Sequence, residues 1–264
     1  VTVGGRLSRP GGIRLNMTRL TPTLAVVCAL ASLVQAAPDE KAILSALGSP
    51  EFAVRDAMFT RLLSDNKLSD DVIDRAFAGA TKPEQRHRLM EVAQHHLIRR
   101  MCKNMPLPNE QGSLGIMLAG SAISIPDESG KPQPGAYVMQ TLPGFPAFAH
   151  LRSGDVIISL GKGRLSTEVI PATFLKSFQE QIKSFKAGQT IPMEVWRDGK
   201  IINISFAAAS FDHLTIVYPN VQSEVFKPLN QEYERIWKER ATQLRALNPD
   251  PKPLAVPIKD LTLH

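Results

Sequence analysis

The hydrophobic period changes near the middle of this chain, and that change limits what it can fold into. Between residues 39 and 102 apolar side chains recur at intervals of three and four, as they do on helices that bury one face. The prolines of KNMPLPNEQG, at 103 to 112, interrupt this pattern and read as a linker. Beyond it GAYVMQTL, GDVIISL and TIPMEVWRDGKIINISF are rich in β-branched residues and punctuated by Gly and Asp-Gly, which predicts strands. FLKSFQEQIKSF is the one long return to helical spacing in this part. Helices first, then strands with interposed helices, predict an α+β chain.

In the helical part, LGSPEFAVRDAMFTRLL places Ser49 as N-cap, Pro50 at the first helical position and Glu51 in the first turn. Phe52, Phe59 and Leu63, widened by Val54 and Leu62, form its expected apolar stripe. A helix capped by Ser69 follows, and then one from Pro83 that carries Leu89, Val92, His96 and Met101. The opening helix-turn-helix loosely resembles HEAT-type repeats, but one or two repeats are too few for a solenoid. A small helical cap or docking module is the plainer expectation. His87, Glu91 and His95 share a face at i, i+4 and i+8, a spacing that could hold a metal. Arg86, Arg88, Arg99 and Arg100 flank them and no HExxH is present, so a solvated face is expected. No metal or other cofactor is expected.

The net charge of +6 is uneven. Residues 1 to 36 hold Arg6, Arg9, Arg14 and Arg19 and no acid, so removing these four from the 31 basic residues leaves 27 against 25 acidic. That balance gives no reason to expect nucleic acid as a partner. From Met17, MTRLTPTLAVVCALASLVQAAPDE has a short basic start, an apolar run from Leu24 to Val34 and small residues at VQA. This pattern predicts a signal peptide cleaved between Ala36 and Ala37, with residues 1 to 16 as an upstream extension. The run is short of the roughly 20 residues a transmembrane helix needs, so no stable membrane span is expected after cleavage. An exported chain, periplasmic or extracellular, would then retain only Cys102, and no intramolecular disulfide could form.

Three spaced motifs in order make residues 109 to 210 resemble a PDZ domain of the bacterial, HtrA-protease-associated kind. SLGI at 113 to 116 stands where the family has its GLGF-type loop. GAYVMQTLPGFPAFAHLRSGDVIISLGKG carries a strand, a short helix at Pro-Ala, the Leu-x-x-Gly-Asp turn and a further strand. FLKSFQEQIKSFKAGQTIPMEVWRDGKIINISF supplies the longer helix, a corner and a closing hairpin turning at Arg197-Asp198-Gly199-Lys200. The resemblance implies a partly open β-barrel with two helices. The expected organisation is an extension and signal peptide (1–36), a helical module (37–102), a linker (103–112), the PDZ domain (113–210), and a C-terminal strand, helix and proline-rich tail (211–264).

A PDZ groove takes a peptide as an added strand at a sheet edge. Successive amides of Leu114, Gly115 and Ile116 could cradle a terminal carboxylate, with Gly115 freeing the turn. Ser113, Leu114, Gly115, Ile116 and Leu118 are therefore the expected peptide-binding residues of the loop and strand. Ser177, Gln181 and Ser184 are those of the helix. Ser177 stands where many family members carry His, and NEQG precedes the loop in place of a basic residue. Internal segments therefore stand beside C-termini as ligands. Asp155, in RSGD, is expected to be structural.

No Gly-x-Ser-x-Gly occurs, and no segment before residue 113 has room for a double-barrel protease. A non-catalytic adaptor is expected, with protein or peptide C-termini and a separate serine protease as partners. The alternative is a regulatory subunit or remnant of a serine protease. FDHLTIVYP is expected to add a last strand. KPLNQEYERIWKERATQLRAL is expected to form a helix with Leu229, Tyr233, Ile236, Trp237 and Leu244 packed on the PDZ or on the N-terminal helices. Self-association is the alternative for that stripe.

Overall fold

The structure, a computed structural model, describes residues 38–105, 110–127, 129–161, 163–164, 171–217 and 226–249. The chain divides into two compact units, Val1–Ala37 and Pro38–His264. The first, with the leader pattern, lies outside the described residues, as does the tail from residue 250. Within the second, the fold is α+β. No described helix is long and apolar enough to cross a membrane.

Among the described residues four helices come first: α1 (Glu40–Leu47), α2 (Phe52–Ser64), α3 (Asp70–Gly79) and α4 (Pro83–Lys103). The start of α2 corrects the sequence expectation. Phe52 is its first residue, and Ser49 instead accepts the Glu51 N–H at 3.2 Å. The carbonyls of Ser49 and Pro50 are turned to the Arg55 guanidinium at 2.9 Å, which holds this segment outside the helix. Phe52 is consequently exposed, with the Arg55 and Arg152 guanidinium carbons 5.7 and 5.5 Å from its ring centre. The buried stripe is Leu62 and Leu63, joined by Ile43, Leu47, Ile73, Phe77, Leu89 and Val92.

The strands are β1 (Gly112–Ser113), β2 (Ile116–Leu118), β3 (Ile123–Pro126), β4 (Pro132–Thr141), β5 (Val156–Leu160), β6 (Gly163–Arg164), β7 (Thr190–Arg197), β8 (Lys200–Ala207) and β9 (Ala209–Ser210). Helices α5 (Ala147–His150) and α6 (Pro171–Ser184) interrupt them. The main sheet runs β2-β4-β5-β7-β8, antiparallel throughout, with β3 also on β4 and β6 on β5, while β1 pairs with β9. Asp198 and Gly199, at φ 51° and 79°, close the β7–β8 hairpin as the Asp-Gly pair predicts. Leu114, Val138, Ile157, Leu160, Phe174 and Phe178 lie in one core between sheet and α6.

After β9 the chain turns helical, not extended. Ser210 Oγ accepts the Asp212 N–H at 3.3 Å and α7 (Asp212–Val217) begins there. A short polar side chain that satisfies the first amides favours a helix start over a further strand. Helix α8 (Lys227–Leu247) then returns to the N-terminal helices. Leu244 is fully buried in their core, and Gln94 donates to the Tyr233 hydroxyl at 2.7 Å. Arg240 pairs with Asp74, and Asn248 donates to the Ala80 carbonyl at 2.6 Å beyond the end of α3.

Asp155 is structural, as expected. Its buried carboxylate accepts the Arg152 N–H at 2.8 Å and both ends of the Arg197 guanidinium at 2.7 Å, which pins the turn before β5 to the end of β7. Removing one partner of a buried ion pair strands the other. Asp155→Ala is therefore expected to lower stability by about 3 kcal/mol, read as a lower urea midpoint; an unchanged midpoint would show that the pair is not holding the turn.

Candidate functional site

The candidate site is built where the chain enters the sheet. Gly112 N–H donates to the Phe185 carbonyl at 2.7 Å, Ala187 N–H donates to the Glu110 carbonyl at 2.7 Å, and Lys186 pairs with Glu110 at 2.9 Å. The incoming strand is thereby tied to the C-terminal end of α6. A Cβ at residue 112 would lie 2.8 Å from the Phe185 oxygen, so glycine permits this close approach. Ser113 and Leu114 are buried, and Leu114 belongs to the core. Ile116 and Leu118 are half-buried on the same core, while Met117 between them is exposed. On its other side β2, the end strand of the sheet, has no partner among the described residues.

Gly115 turns the chain into β2 at φ +70°. Its carbonyl accepts the Leu142 N–H at 2.9 Å, and a Cβ there would fall 2.1 Å from Phe145. The glycine is thus required by packing as well as by conformation. Its N–H points to Ser113 Oγ at 3.3 Å, a long bond in which a neutral hydroxyl holds the amide. Gly115→Ala is expected to cost about 3 kcal/mol, from the left-handed φ and the overpacked Phe145 together. A thermal melt that matches the wild type would mean Phe145 yields without cost.

The helix residues expected to face a ligand do not act together. Ser177 is exposed, Gln181 donates its amide to the Leu160 carbonyl at the end of β5 at 2.8 Å, and Ser184 returns its hydroxyl to the Gln181 carbonyl at 2.7 Å. Gln181 satisfies the last carbonyl of β5, which fixes its side chain there. On α6, Ile182 is half-buried against the same core as Ile116 and Leu118. Its apolar character and its spacing from Phe178 mark it for the core in the sequence, and only the partial exposure at the end of the stripe distinguishes it.

Behind the loop, residues 142–145 meet α4. The Gly144 N–H donates to His95 Nδ1 at 2.9 Å, and a Cβ on Gly144 would lie 2.2 Å from Ile98. The His95 ring stacks on Phe148 at 5.5 Å and 21°, and Phe148 meets Phe59 edge-on at 5.9 Å. His95 is therefore buried, which corrects the expectation of a solvated His87, Glu91, His95 face; His87 is exposed and pairs loosely with Glu91 at 3.6 Å. The described residues contain no group of three or more His, Cys, Asp or Glu placed to hold a metal.

Burial drives the His95 pKa down to about 3 and lowers that of His96, while it pushes the Cys102 thiol up to about 12. Cys102 is thus a protonated, buried thiol and a poor nucleophile. A cleft of about 410 Å³ between α2, α4 and α5 is lined by Asp56, Phe59, Glu91, Phe148, Arg152 and Arg197 among others. Arg152 pairs with Asp56 and Arg197 with Asp155, so its guanidiniums serve structure. An imidazole kept neutral in the folded state takes up a proton only on unfolding between pH 6.5 and 3. Stability should fall as pH drops through that window, by about 1.4 kcal/mol per unit from His95 alone. Urea midpoints from pH 7 to 5 would show this slope, and His95→Gln should flatten it; an equal slope in both would assign it elsewhere.

Comparison with known proteins adds little. No protein-family model matches the chain, nor does any curated protein. Among solved structures, the HtrA-type protease AlgW with a decapeptide is 25% identical over 38% of this chain and 29% of that one, at a TM-score of 0.29. An alanine-substituted variant of AlgW with a decapeptide gives 24% identity at the same coverage and score. The chain thus spans less than a third of the length of these proteases.

Proposed function

We propose that residues 113–210 form a PDZ-type module that binds C-terminal or extended peptide segments as an added strand. The observation that carries this reading is the outer edge of β2, which has no partner among the described residues and is entered through Gly115 at positive φ. An exposed edge with a row of unpaired backbone groups is what strand addition uses. Ser113, Leu114, Gly115, Ile116 and Leu118 supply the loop and strand of this groove. Ile182 completes its apolar floor, and Ser177, Gln181 and Ser184 stand on the neighbouring face of α6. The module serves an exported adaptor, in the periplasm or outside the cell, that presents clients to a separate serine protease. The apolar stretch from Leu24 to Val34 with VQA behind it supports export.

The test uses the full chain and a peptide library in paired forms with free and amidated C-termini, read by fluorescence anisotropy. Micromolar binding that discriminates among sequences is expected. Ile182→Ser should weaken the best peptide about tenfold, by roughly 1.5 kcal/mol of lost apolar contact, with the melting temperature nearly kept. Absence of binding by every library peptide would overturn the proposal.

A further inference from the structure

We infer that the helical module positions the peptide-binding loop, and that His95 is the residue through which it does so; the ligand consequence rests on the groove reading above. The contacts run without a gap. His95 Nδ1 receives the Gly144 N–H at 2.9 Å, and Ile98 of the same helix fills the space a Gly144 side chain would need. The next residue, Phe145, is fully buried and occupies the space denied to a side chain at Gly115. Leu142, at the other end of this segment, donates its N–H to the Gly115 carbonyl at 2.9 Å. One face of the 142–145 segment is therefore held by α4, and its other face holds the residue that aims the loop amides.

The chemistry of His95 suits it to this task. An acceptor at Nδ1 puts the proton of the neutral ring on Nε2. The ring is wedged between Phe148 and His96, with centroids 5.5 Å away on each side. The Gly144 bond and the two flanking rings, His96 on α4 and Phe148 on α5, together fix the proton arrangement and the plane of the imidazole. A buried N–H such as that of Gly144 needs a partner, so the turn settles where His95 offers one. Gly144, at φ +87°, adopts a conformation that leaves little choice of residue.

Two variants of the full chain separate positioning from bulk stability. His95→Leu removes the acceptor, whereas His95→Gln can still accept the Gly144 N–H. The first readout is the amide nuclear magnetic resonance shift of Gly115 and Ile116 without ligand, with Val195 in the far part of the sheet as control. The second is affinity for the best library peptide, with melts alongside. His95→Leu should move the Gly115 and Ile116 signals, leave Val195 in place and weaken the peptide about tenfold; His95→Gln should restore most of both. Wild-type Gly115 shifts in His95→Leu would overturn the inference, as would equal losses in the two variants that merely follow their melting temperatures. If His95→Leu does not fold, Ile98→Ala, which loosens the packing on Gly144 and keeps the hydrogen bond, must move the same amides or the inference fails. Should the wild type bind no peptide, the groove reading falls while the amide shifts still decide the positioning.

Discussion

Helix and sheet can share a single turn in this protein because Gly144 carries no side chain. Ile98 and His95 approach the turn from α4, Ile98 filling the space a Cβ would need and His95 accepting the N–H. Everything on the sheet side follows from the position this gives to Phe145. That ring abuts Gly115, and Gly115 in turn sets where β2 begins. Interiors pack at near-crystalline density and transmit displacements that a looser interior would absorb. A change on α4 therefore has a direct steric route to the sheet edge.

Two further contacts keep the sheet from shifting relative to this turn. The Asp155–Arg197 pair ties the entry of β5 to the end of β7 with two parallel hydrogen bonds, a geometry with directional as well as electrostatic content. Below it Arg152 reaches across to Asp56 on α2. One ion pair of the cleft thus joins helices to sheet, and the other holds the sheet side in place.

Much of this was legible in the residues. The change from helical to alternating spacing gives the α+β class, Pro83 marks the start of α4, and Asp198-Gly199 marks the hairpin. Ser69 occupies the N-cap position of α3 as read, but its side chain makes no capping hydrogen bond. What failed did so for tertiary reasons. The local pattern at Ser49 and Pro50 favours a helix start, but Arg55 captures the two carbonyls there. His95 sits among arginines in sequence and looks solvated, yet the partners that bury it, Gly144 and Phe148, come from a stretch some 50 residues on. Helix α6 shows the same limit: its spacing locates the core at Phe178, but the orientation of Gln181 depends on a carbonyl of β5. In this region the glycine turn into β2 was readable and the anchoring of Gln181 was not.

The return of α8 has a consequence for the order in which the chain can acquire structure. Leu244 completes a core begun by Ile43, roughly 200 residues earlier, with the whole sheet between them; contacts of such sequence separation carry the largest loop-closure cost and form late. During synthesis α1 to α4 emerge before the sheet, yet their shared core stays open on one side until α8 is made. The sheet's own contacts span much shorter stretches of chain and can close first. The helices made before the sheet would then be among the last parts to become fully ordered, and they would need to avoid other apolar partners while they wait.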